Sequence, residues 1–85
     1  MFVKRDHKKF GKFLKAQRIS LKISQTDAAK VAGCHAQFIS NIERGLCAPP
    51  FELLKVLIGL YKLNPNSIVQ RILSDEKDFL KKNLR

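Results

Sequence analysis

Eighty-five residues, 45% of them hydrophobic and 28% charged, suffice for one small core and are short for two ordinary domains. The formal charge of +10, from 17 Lys and Arg against 7 Asp and Glu, repels itself in any compact state and points to a polyanionic partner. Two cysteines make at most one bridge, which excludes a disulfide scaffold, and the longest apolar run, Val56 to Tyr61, falls far below the roughly 20 residues of a membrane span.

The first residues, Met1-Phe2-Val3-Lys4-Arg5-Asp6, carry no signal-peptide pattern, so a cytoplasmic, nucleoid-associated protein with free thiols is expected. Asp6 can cap a first helix that places Phe10, Phe13 and Leu14 on one face and fades near Ile19-Ser20. Ser24 reads as the N-cap of a second helix, with Asp27 three residues on in a near capping box. Ala28, Ala29 and Ala32 give that helix a small-residue face, and Gly33 ends it. A third helix follows Gly33-Cys34-His35, turns Phe38, Ile39 and Ile42 inward, and stops at Gly45. His35 is a poor N-cap for it.

Pro49-Pro50 sets a turn into a fourth helix. Its apolar positions, from Phe51 through Leu53, Leu54, Val56, Leu57 and Leu60 to Tyr61, cover most of the circumference and predict a central position. Asn64-Pro65 supplies an N-cap with Pro at the first position of a fifth helix. Ser74-Asp75-Glu76 either breaks that helix and caps a sixth or rides on its exposed face. The expected fold is all-α, with five or six helices. A basic arm and helix start (1–9), a helix-turn-helix domain (10–68) and a C-terminal helical extension (69–85) divide the chain.

The charge is uneven: residues 1–22 carry +7, residues 23–50 balance to zero, and residues 51–85 carry +3. The basic start, with Lys4, Arg5, Lys8 and Lys9, is read as an arm that follows phosphate, the alternatives being a solvated face or a membrane-surface patch.

Residues 23–49 hold the most informative pattern. A short helix, a Gly-bearing turn and a second short helix have the spacing of a helix-turn-helix, whose second helix fits a DNA major groove. Ser24-Gln25, Ala29, Ala32-Gly33, the string Ile39-Ser40-Asn41-Ile42-Glu43-Arg44-Gly45 and Pro49 resemble the phage-repressor, Cro and Xre family. Gly11, Arg18, Leu54, Leu57 and Tyr61 fall where that family places a glycine, an arginine and core residues.

The resemblance implies roles. Gln37 and Asn41, one turn apart, match base-reading positions, and each amide can serve adenine bidentately; Ala36 matches a thymine-methyl contact. Ser24, Gln25, Ser40 and Arg44 are expected at phosphate. Arg18 and Glu43 match a structural pair between the first helix and the recognition helix. The chain departs from the family at Cys34-His35, at Ala28, and in the uncharged loop Leu46-Cys47-Ala48.

No metal or cofactor is expected, because Cys34 and Cys47 lack Cys-x-x-Cys spacing and His7 is the only histidine besides His35. The sequence shows no nucleophile–base pair, paired carboxylates or phosphate loop, so no enzyme is expected. Double-stranded DNA is the expected partner, bound by a homodimer that uses Ile72, Phe79 and Leu80 as its interface. The alternatives are an antitoxin-like or adaptor module that binds protein, favoured by the uncharged loop, and non-specific nucleic-acid coating through the basic start.

Overall fold

Apolar residues spaced three and four apart carry the chain into five helices in the computed structural model, which describes residues 7–84. They are α1 (Lys8–Ser20), α2 (Gln25–Ala32), α3 (Ala36–Glu43), α4 (Phe51–Leu60) and α5 (Pro65–Asn83). No strand occurs among the described residues.

Local chemistry sets most helix ends. The Ser24 hydroxyl accepts a hydrogen bond from the Asp27 amide at 3.0 Å, and Asn64 Oδ1 accepts one from the Asn66 amide at 2.8 Å. Pro65 occupies the first turn of α5, where a missing N–H costs nothing. The expected Asp6 cap lies outside the described residues; His7 precedes α1 without a side-chain cap bond.

The core gathers residues from all five helices. Phe10 and Leu14 come from α1, Ala28 and Ala29 from α2, Ile39 and Ile42 from α3, Leu53 and Leu57 from α4, and Ile68 from α5, with Tyr61 and Leu63 from the turn before it. Each large side chain buried here contributes roughly 1.5–3 kcal/mol relative to an exposed one. Ala28 is fully buried, so the small-residue face of α2 is a close crossing.

The expectation of five or six helices resolves to five. Ser74, Asp75 and Glu76 continue α5 without a break, because an exposed helix face accepts polar residues freely. The boundaries expected at 9/10 and 68/69 fall inside α1 and α5. The α4 helix, expected to be central, packs on the core but keeps one face in solvent. Leu53, Leu57 and Tyr61 face the core, but Phe51 is 71% exposed, since it shares the outer face of α4 with Glu52, Lys55 and Gly59. Lys55 instead lies over the Phe51 ring, 5.6 Å from its centroid. Of the α5 residues only Ile68 is buried, while Arg71 sits 4.0 Å over the Phe13 ring and joins α5 to α1.

Candidate nucleic-acid interface

The α2–α3 turn is built by one glycine. Gly33 adopts φ 71°, the left-handed region that favours glycine. The Cys34 amide then donates to Ala29 O at 3.0 Å and the Gly33 amide to Lys30 O at 3.3 Å, which closes α2 and releases the chain toward α3. Cys34 is half-buried against the core, and His35 precedes α3 without a side-chain cap bond.

Two further glycines let α1 lie against the end of α3. A methyl group on Gly11 would stand 2.4 Å from Ile42 O and 2.6 Å from Glu43 O. Gly45 has φ 78°, and a methyl there would stand 2.7 Å from Lys8 Cα. The first turns of α1 therefore touch the backbone with which the recognition helix ends.

Arg18 and Glu43 form the expected pair. Arg18 Nε donates to Glu43 Oε2 at 2.6 Å and Nη2 to Oε1 at 3.0 Å, while Nη1 donates to Ile23 O at 2.7 Å. Their side chains are 9% and 3% exposed. The hydrogen bond to Glu43, which outweighs burial, raises the Arg18 guanidinium above its ordinary value. Gln25 joins the pair: its Nε2 donates to Glu43 Oε1 at 2.9 Å. Residue spacing gave no sign of this bond, because it spans 18 residues and depends on how three helices meet.

The residues expected to meet DNA divide by exposure. Gln37 is exposed and Asn41 half-buried, and Gln37 Nε2 donates to Asn41 Oδ1 at 3.0 Å. That bond fixes the two amides relative to each other and leaves Gln37 Oε1 as an acceptor and Asn41 Nδ2 as a donor. Ala36 is half-buried and packs on the core; Ser40 is half-buried. Arg44 is exposed at the C-terminal cap of α3. Ser24 is exposed, with its hydroxyl engaged as the α2 cap.

Tyr61 lies beneath this assembly with a buried hydroxyl that has no hydrogen-bond partner among the described residues. Burial first, and the Glu43 charge second, push its phenol up to about 12. Among the described residues no cluster of three or more His, Cys, Asp or Glu side chains could hold a metal ion, and no helix is long and apolar enough to cross a membrane.

Two eight-residue helices, joined by a left-handed glycine and presenting a polar exposed edge on the second, define a helix-turn-helix domain. Residues 14–68 match the family model described as helix-turn-helix. The chain belongs to the Xre and lambda-repressor type of that family, whose members are DNA-binding regulators. No curated protein matches the sequence.

Proposed function

We propose that this protein is a sequence-specific transcriptional regulator, without enzymatic activity, that binds duplex DNA as a homodimer at the nucleoid. The hydrogen-bonded amide pair Gln37–Asn41 on the exposed edge of α3 carries this reading. In the major groove such a pair reads adenine N6 and N7, with Ala36 beside it against a thymine methyl. Ser24, Gln25, Ser40 and Arg44 hold phosphates on either side. Gln25 has a dual duty here. Its Nε2 stays on Glu43, which leaves its amide oxygen and the first N–H groups of α2 for the DNA backbone and its bound water.

One recognition helix touches too few base pairs for strong specificity, so a two-fold dimer is required. The apolar stripe on α5 supports an interface there. Ile72 and Leu80 are 42% and 43% exposed, and the half-buried Phe79 lines one groove with Ile72, Phe10 and Leu54.

The test begins with duplexes selected from a random pool. Gln37→Ala should lose about 1–3 kcal/mol on the selected site and relax preference at one base pair per half-site. Equal losses on selected and random duplexes would refute base reading by Gln37. Ile72→Ser with Leu80→Ser should leave a folded monomer that binds the site weakly, and a wild type that sediments as a monomer at tens of micromolar with DNA present would refute the dimer. A second reading, a protein-binding module on the same fold, is favoured by the exposed Leu46 within the uncharged loop and the exposed Phe51 beyond it. It predicts no enrichment of any duplex.

A further inference from the structure

The α2–α3 unit has few cations of its own. Residues 23–50 balance to zero charge, and the loop after the recognition helix is Leu46-Cys47-Ala48. DNA affinity rests on phosphate neutralisation, so the positive charge must reach the backbone from elsewhere in the fold.

The packing of α1 shows where. At about 100° per residue, the side chains of α1 follow one another around its axis in a definite order. Phe13 faces Arg71 of α5. Next come the core residues Phe10 and Leu14, then Arg18 and Gly11, which meet the end of α3. Beyond that edge, on the side away from α5, lie Lys8, Lys12 and Lys15, all exposed and within about 60° of one another. The stripe starts where Lys8 crosses Gly45, directly after the recognition helix, with Lys8 Cα 2.7 Å from where a Gly45 methyl would stand.

A helix of eight residues is about 12 Å long, close to the width of the major groove. With its N-terminal residues on base edges, α3 leaves the groove at its C-terminal end, beside a phosphate backbone. In that pose the first turns of α1, which lie against Gly45, would be the next elements to meet the backbone.

We propose that Lys8, Lys12 and Lys15 form a fixed phosphate-binding stripe that flanks the recognition helix and supplies the cations its own loop lacks. This inference rests on the DNA-binding reading. It differs from a trailing basic arm because the stripe belongs to a packed helix and meets a defined stretch of backbone.

The test is a salt titration with a random-sequence duplex of about three helical turns, roughly 30 base pairs. The variants are K8Q/K12Q/K15Q and, as an equal-charge control, K62Q/K77Q/K81Q. Each is first shown to melt like the wild type. The stripe variant should flatten the plot of log K against log salt by about two to three units, at about 0.9 unit for each phosphate that is no longer neutralised. The control should change the slope by less than one unit. Equal slopes for the two variants overturn the stripe while leaving DNA binding intact. A wild type that binds no duplex even at about 50 mM salt overturns the DNA-binding reading and the stripe with it. Unchanged duplex binding by the stripe variant, with abolished binding to phosphatidylglycerol vesicles, reassigns the stripe to a membrane surface and also overturns the proposal.

Discussion

Removing the Glu43 carboxylate should unfold much of what positions the recognition helix. The carboxylate accepts hydrogen bonds from Arg18 Nε, Arg18 Nη2 and Gln25 Nε2 at 2.6, 3.0 and 2.9 Å. Glu43→Ala deletes all three and leaves the Arg18 guanidinium, 9% exposed, with the carbonyl of Ile23 as its remaining partner. Breaking one side of a buried ion pair costs about 3–5 kcal/mol, because the other charge stays desolvated. A domain of this size has roughly 4–13 kcal/mol of stability in all. The variant should therefore lose about a quarter or more of it, with a melting temperature lower by more than about 10 °C. Urea unfolding followed by circular dichroism measures the loss. The double substitution Arg18→Met with Glu43→Leu, which removes both charges and keeps the volume, should recover at least half of it. A Glu43→Ala protein within about 1 kcal/mol of wild type would refute the reasoning, because the carboxylate would then not hold α1, α2 and α3 together.

Three other substitutions test separate parts of the packing. Gly11→Ala places a methyl 2.4 Å from Ile42 O, main chain that cannot swing aside, and should destabilise by about 1–3 kcal/mol in thermal unfolding; an unchanged melt would contradict the close α1–α3 approach. Gly59 is exposed within α4 with nothing near its missing Cβ, so Gly59→Ala should stabilise by about 0.5–1 kcal/mol, and a lower melting temperature would count against that geometry. Tyr61→Phe should cost less than about 1 kcal/mol near pH 8, because the hydroxyl it removes has no partner among the described residues. The same substitution gives the pH dependence. With the folded phenol pushed up to about 12 from its ordinary 10.0, the unfolded chain loses this proton first as pH rises. The contribution of Tyr61 is therefore complete below about pH 10 and falls by roughly 2–3 kcal/mol on the way to pH 12. The gap between wild type and Tyr61→Phe should shift by that amount between those pH values in urea unfolding, and a pH-independent gap would show that Tyr61 ionises normally.

The parts of the fold legible in the sequence are those fixed by short-range chemistry. Ser24, Gly33 and Asn64-Pro65 act on backbone groups within a few residues, so each marks its helix end wherever the rest of the chain goes. Two other helix ends lack a glycine signal. Lys22 and Lys62 adopt φ 59° and 55°, and the amides that follow close back on Arg18 O and Ile58 O. No glycine announces these turns; burying Leu63 and packing Ile23 on the core hold lysine where it seldom sits. The Phe51 exposure was hidden for a different reason. A helix apolar on nearly every face does not reveal which side meets solvent.

The site divides in the same way. The spacing of Gln37 and Asn41 predicts their proximity, since residues four apart on a helix are neighbours. The resemblance to the Xre family implied the Arg18–Glu43 pair, which local patterning alone would not have assigned. The Gln25 bond to Glu43 and the buried Tyr61 hydroxyl come from tertiary packing and have no counterpart in residue spacing.

The central claim is sequence-specific binding by a two-fold dimer, and selection from a random duplex pool at fixed salt tests it most directly. The enriched sequence should be a pseudo-palindrome with half-sites about 10 base pairs apart, bound at least about a thousandfold more tightly than random duplex by the intact protein. A pool that stays random, or affinity that is equal for every duplex and set by salt alone, would contradict it.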